Sequence, residues 1–208
     1  MPEQEAQGTQ LATGIRKVTN ADVDSIVELM SRAFDDDPFI NFLVKQDARR
    51  KERMTRFMRV GVTRLTLPYG ECYMTEAGDG AALWNPPGGR PHGIRADLSM
   101  LPTLLKVSGI GGMKRSIGAF AQAEKLHPQE PHYYLLAIGV EPAMQGKGVG
   151  SSLLAPMAER LDREGVGAYL ESSKERNLPL YERFGFEVTN VFDVKDGPRI
   201  WPMWRDPK

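Results

Sequence analysis

The period of apolar and polar positions changes several times along the chain, and each change marks an element. "GIRKV" (14–18) alternates and predicts a first strand. A helix follows, capped by Asn20, with Val23, Ile26, Val27, Met30 and Phe34 at helical spacing. "DDDPF" stops it, and Asp37 with Pro38 forms an N-cap and N1 pair for a short second helix. A basic amphipathic helix is predicted over about 47–65, with Met54, Phe57, Met58 and Leu65 on one stripe. "YGECYMTEAGDGAALWNPPGG" (69–89) reads as two strands joined by a Gly-Asp-Gly turn, and "NPPGGRPHG" then breaks regular structure.

Residues 94–126 read as two helices broken at "SGIGG". "HYYLLAIGV" (132–140) is almost wholly apolar and predicts a buried central strand. A glycine-rich loop leads to a helix over about 148–164, a strand at "GAYLES" (167–172) and a short helix at "NLPLYERFG" (177–185). "FEVTNVFDV" (186–194) and "RIWPMW" (199–204) predict the last strands, with Pro202 placing the final one at an edge or a bulge. This order predicts an α/β (α+β) fold with a mixed sheet. Residues 1–12 are expected to form a flexible tail and residues 13–208 a single domain.

Composition narrows the function classes. The 208 residues are 41% hydrophobic and 26% charged, enough for a packed core. Lys plus Arg and Asp plus Glu both total 27, so nothing draws the whole chain to nucleic acid or an anionic membrane. The basic run Arg49, Arg50, Lys51, Arg53, Arg56 and Arg59 reads as a solvated helix face. A single cysteine, Cys72, excludes an intrachain disulfide framework and a Cys-rich zinc site. His92, His127 and His132 show no metal-ligand spacing, so no metal is expected. The polar start "MPEQEAQGTQ" lacks a secretory apolar core, and no run approaches the ~18 apolar residues of a membrane span. These features predict a soluble cytoplasmic protein.

The chemistry concentrates at "VEPAMQGKGVGSSLL" (140–154), where an apolar strand hands over to a helix through a glycine-rich loop. Backbone N–H groups at a helix start carry partial positive charge, and glycines let a bulky anion approach them. A phosphate loop of the Gly-Lys-Ser/Thr type is excluded because Gly148 follows Lys147. A dinucleotide fingerprint would need a different glycine spacing and more chain after the loop, although Glu171 is placed to suit a ribose.

"QGKGVG" followed by Asn177, Tyr181, Gly185 and Phe186 resembles the GNAT superfamily of acyl-CoA N-acyltransferases, most strongly over residues 132–204. Within it, "VEPAMQGKGVGSSLLAPM", "YLESSKERNLPLYERFGFEV" and "GPRIWPMWR" are most similar to the puromycin N-acetyltransferase type. The resemblance implies a GNAT fold: a mixed, mostly antiparallel central sheet flanked by helices and splayed between the fourth and fifth strands. It implies transfer of acetyl from acetyl-CoA (CoA) to the amine of a small molecule by direct attack in a ternary complex, with antibiotic modification as one such role.

By the same resemblance, Gln145, Gly146, Lys147, Gly148, Val149, Gly150 and Ser151 would hold the CoA pyrophosphate. The backbone of Ile138, Gly139 and Val140 would pair with the pantetheine as if it were an added strand, and Val140 N–H would face the thioester carbonyl. A glycine at 139 in a buried strand reads as a bulge or a close backbone approach. Tyr181 would protonate the departing thiolate, and Asn177, one turn earlier, would reach the pantetheine. Glu171, or else Glu141, would accept the proton of the amine. Asp35, Asp36 and Asp37 would form an acidic mouth for a cationic acceptor. A homodimer is compatible with this reading. The alternative is a non-catalytic acyl-CoA-binding regulatory module.

Overall fold

A computed structural model describes residues 14–89 and 94–208; the tail expected over residues 1–12 and the loop residue His92 lie outside the described residues. Strands β1 (Ile15–Lys17), β2 (Glu71–Thr75), β3 (Gly80–Asn85) and β4 (Tyr133–Val140) are successive antiparallel neighbours. β5 (Ala168–Ser172) runs parallel to β4, and β8 (Arg199–Arg205) antiparallel to β5. The short strands β6 (Glu187–Val188) and β7 (Phe192–Asp193) both pair with β8. The sheet is therefore mixed and mostly antiparallel, as the resemblance implies.

Alternation along the strands divides the core into two layers. On one face, α1 (Val23–Ala33), α2 (Pro38–Leu43) and α3 (Arg50–Val60) bury Ile26, Met30, Ile40 and Met54 against Cys72, Met74, Ala81 and Leu83. On the other, α5 (Val149–Glu164) and α6 (Leu178–Glu182) bury Leu153, Leu154, Met157 and Tyr181 against Ala82, Trp84, Leu135 and Leu170. Each such large apolar side chain contributes about 1.5–3 kcal/mol, so both layers are needed to hold the sheet. α4 (Ile94–Glu124) breaks at Gly109, where φ is 70°, within the expected "SGIGG".

Several local readings are corrected. Thr19, not Asn20, opens the first helix: Asp22 Oδ2 accepts its N–H at 2.9 Å and its hydroxyl at 2.8 Å. Asp22 is also held by Arg16, so one carboxylate ties β1 to the helix entry. The third helix stops at Val60 and continues as a π turn over Gly61–Thr66. Arg49, Lys51, Arg56 and Arg59 are exposed, as the solvated face requires, but two of the run are ties. Arg53 is buried and donates to Asp47 and to the Lys106 carbonyl, while Arg50 donates to Asp35 and Asn41. β8 is internal, not an edge. The Pro202 carbonyl accepts the Thr189 N–H at 3.0 Å, so its missing donor faces the side where β6 has already ended. Among the described residues no helix is long and apolar enough to cross a membrane.

Candidate active site

The fourth and fifth strands part company halfway. Only Tyr133, Tyr134 and Leu135 pair with β5, opposite Ala168, Tyr169 and Leu170. The next residue, Leu136, is a bulge, because Leu83 pairs with Ala137 while Trp84 pairs with Leu135. Beyond it, Leu136, Ala137 and Ile138 are only half-buried. Glu171 and Ser172 of β5 instead continue along β8. A cleft opens where β5 has left.

Main-chain direction in that cleft follows from one bond. Glu141 N–H donates to the Asp79 carbonyl beside β3 at 2.8 Å. Alternation then turns Gly139 toward β3, and Ile138 and Val140 toward the vacated side. Gly139 therefore differs from its two neighbours: its peptide groups serve the sheet. Its missing side chain makes room for α1, since a Cβ there would lie 2.6 Å from Met30 Sδ and 3.1 Å from Ala33 Cβ. The close approach expected at this glycine comes from a helix, and the bulge falls at Leu136.

The loop after β4 makes a 3₁₀ turn over Pro142–Met144, and Gly146 and Gly148 then take φ of 75° and 88°. Those left-handed angles favour glycine and swing the chain into α5. Among the described residues the N–H groups of 146–151 have no main-chain acceptor; the first intrahelical bond is Ser152 N–H to the Gly148 carbonyl at 3.0 Å. Gln145, Lys147 and Gly148 are exposed, and Gln145 donates its side-chain amide to the Val140 carbonyl. Val149, Gly150 and Ser151 form the half-buried first turn. A row of unpaired amides on a positive helix end is suited to a diphosphate. At Gly150 a Cβ would lie 3.2 Å from Leu180 Cδ2, so α6 packs directly on this turn.

The next residue, Tyr181, packs in the layer of Leu135 and Leu170, with Ile138 against the same cluster. Gly185, at φ 85°, ends the short helix, and the Phe184 and Phe186 N–H groups both bond to the Tyr181 carbonyl. The Tyr181 ring is buried, edge-on to Phe186 at 6.3 Å. Among the described residues nothing bonds its hydroxyl. Burial first, and the Asp37 carboxylate second, hold the phenol well above its ordinary range, so it stays protonated at neutral pH. Asn177, half-buried at the start of α6, also makes no side-chain hydrogen bond among the described residues.

Glu171 stands on the opposite face. Its Oε2 accepts the Tyr134 hydroxyl at 2.6 Å and its Oε1 the Tyr169 hydroxyl at 3.2 Å. His127 Nδ1 lies 4.0 Å from Oε1. The rival carboxylate, Glu141, is bonded through both oxygens to Arg32 Nε, at 2.9 and 3.2 Å. The acidic mouth is largely neutralised. Asp35 pairs with Arg50, and Asp36 with Lys174 and Arg176. Asp37 caps α2 through Ile40 N–H at 2.9 Å and accepts the Ser173 hydroxyl.

Spacing alone missed His127 and His132, whose Nε2 atoms approach to 3.1 Å, and the two tyrosines on Glu171. Alternation in "HYYL" and "AYLES" carried part of that signal, since it sets Tyr134, Tyr169 and Glu171 on one face. Cys72 is buried, and burial raises its thiol, which disfavours a nucleophilic role. Among the described residues no three His, Cys, Asp or Glu side chains are placed to hold a metal ion.

Comparison with known proteins agrees with this geometry. Residues 114–186 match the model of the acetyltransferase (GNAT) family. An uncharacterized N-acetyltransferase of Schizosaccharomyces pombe is 33% identical over 136 residues, covering 60% of this chain and 55% of that protein. A mycothiol acetyltransferase of Brachybacterium faecium is 38% identical over 58 residues, covering 26% of this chain and 18% of that protein. The chain thus spans about half the length of the first relative and less than a fifth of the second. The crystal structure of histone acetyltransferase HPA2 and related acetyltransferase from Corynebacterium glutamicum superposes with a TM-score of 0.72. It is 24% identical, with 94% of this chain and 96% of that chain covered, and so shares the fold. Residues 114–186, which hold the splayed strands and the bare helix start, thus carry an acetyltransferase (GNAT) family domain.

Proposed function

We propose that this protein transfers acetyl from acetyl-CoA to the amine of a small molecule, by direct attack in a ternary complex. GNAT acetyltransferases use acetyl-CoA, which supplies an activated thioester. One observation carries the reading: among the described residues the amides of 146–151 have no main-chain acceptor, and they follow directly on the stretch of β4, Ile138 and Val140, that turns main-chain groups to the side β5 has left. Amides 146–151 would hold the diphosphate, and Ile138 and Val140 the pantetheine, like an added strand. Val140 N–H would offset charge developing on the acyl oxygen.

Tyr181, protonated and without a hydroxyl partner among the described residues, would donate to the leaving thiolate. Glu171, across the cleft, would take the proton that the attacking amine gives up, directly or through water. The paired carboxylates at 35–37 leave little net negative charge to select a polycation. A monocationic or weakly basic amine, an antibiotic among them, suits the mouth better. One cysteine and ten methionines fit a reducing cytoplasm as its location.

The test mixes protein, acetyl-CoA and an amine panel including puromycin, polyamines and aminoglycosides, and follows free thiol. Amine-dependent thiol release supports the enzyme. Calorimetric binding of acetyl-CoA without release on any amine would instead identify a binding module.

A further inference from the structure

His127 and His132 sit behind Glu171 as a buried pair. His132 Nδ1 is 2.7 Å from the Glu130 carbonyl oxygen. A carbonyl only accepts, so this nitrogen carries the hydrogen. In the neutral ring, His132 Nε2 is then an acceptor, and His127 Nε2, 3.1 Å away, must donate to it. The basic nitrogen of a neutral His127 is therefore Nδ1, the atom 4.0 Å from Glu171 Oε1.

We propose that His127 is a positioning residue for Glu171 and takes over the proton that Glu171 receives from the acceptor amine; this rests on the acyl-transfer reading above. Both Glu171 oxygens already accept a tyrosine hydroxyl. A proton arriving there competes with one of those bonds, and moving it to His127 Nδ1 restores both. Once the two side chains close the 4.0 Å gap to hydrogen-bond distance, the step breaks the Glu171 O–H bond and forms the His127 N–H bond. A carboxylate then faces an imidazolium, with no change in total charge. His127 keeps its Nε2 hydrogen bond throughout.

The surroundings hold this geometry. The His127 ring stands edge-on to Tyr134 at 5.0 Å and to Tyr169 at 4.8 Å. Its partner His132 packs against Trp204 at 5.6 Å. Among the described residues the titratable groups facing His127 include His132, Tyr134, Tyr169 and Glu171, and its main-chain N–H bonds to the Glu124 carbonyl. Among the described residues no lysine or arginine is ion-paired with Glu171. In this low-dielectric setting a charge pair near 4 Å is felt several-fold more strongly than in water.

His127→Gln keeps a donor for His132 but cannot take up a proton. With an amine that releases thiol, its kcat should fall about tenfold at pH 7, with KM for acetyl-CoA unchanged. The deficit should narrow toward pH 9, where the amine arrives neutral. An equal deficit at every pH, or none, would overturn the proposal. A second measurement needs neither that variant nor turnover: NMR titration of the histidine rings in the full chain and in Glu171→Gln. Loss of the carboxylate should change the titration curve of the His127 ring; an unchanged curve overturns the pairing. If no amine releases thiol, the acyl-transfer reading fails by itself, and the titration still decides the pairing.

Discussion

Tyr181 and Glu171 stand on opposite faces of the sheet. Tyr181 packs in the same layer as Leu170, and alternation turns the next residue, Glu171, to the other face, where Tyr134 and Tyr169 hold it. In the proposed reaction this separates the two proton transfers. The thiolate would leave beside a phenol on the α5 and α6 face, and the amine would arrive beside a carboxylate on the α1 and α2 face.

Replacing Tyr181 by Phe should lower kcat about a hundredfold while calorimetric affinity for acetyl-CoA holds. Because burial raises the phenol, its proton is retained as pH rises, so no alkaline loss should trace to Tyr181 below about pH 10. Unchanged turnover in the Phe variant would remove Tyr181 from the reaction.

Gly148 separates backbone from side-chain binding. A Cβ there meets nothing within 4 Å, so Gly148→Ala clashes with nothing; its cost is φ 88°. A left-handed angle costs an L-residue about 1–2 kcal/mol, and relief of that strain would turn the amides away. Affinity for acetyl-CoA, read by calorimetry, should fall about tenfold. Lys147→Ala, which removes an exposed side chain, should cost only a few-fold, and less at high salt. The reverse order would show that the lysine, not the main chain, binds the diphosphate.

Gly139→Ala should lower the thermal midpoint, because the new Cβ meets Met30 Sδ and Ala33. Overpacking of this kind costs about 1–3 kcal/mol. In the double variant with Met30→Ala, the loss should be smaller than the sum of the two single losses. Additive losses would mean that α1 does not press on β4 at this point.

Acid should unfold the protein in a predictable window. The Arg53 guanidinium holds the Asp47 carboxyl down to about 2. Asp36 is lowered by Lys174 and Asp22 by Arg16. A carboxyl lowered by folding contributes stability that is complete above its unfolded value, about 3.9. That stability is lost as pH falls through the folded value. The thermal midpoint should be level above about pH 5 and drop between about pH 4 and pH 2. Arg53→Met should flatten that drop and lower the level stretch.

Much of the fold was legible because it depends on local period and turn chemistry. The alternation and apolar runs that predicted β2 through β5 need only neighbouring residues, as does the Asp37–Pro38 helix start. The strand–glycine–helix junction and the segment from Asn177 to Phe186 were recognisable for the same reason. Spacing could not show which charges would find partners. Arg53 reaches the Lys106 carbonyl, Arg32 reaches Glu141, and Asp37 reaches Ser173, each across a chain separation that no periodicity measures.

By itself, then, the sequence determined the order of strands and helices, that a glycine-rich turn would open α5, and that a tyrosine would follow on α6. Only the tertiary structure decided that β5 would leave β4 after Leu135, because a bulge and a competing partner strand settle that divergence. It also decided that Glu171 would stand with two tyrosines and His127 while Glu141 would be taken by Arg32. Local chain geometry is written in adjacent residues. The pairing of distant charges depends on which surfaces the packed core brings together.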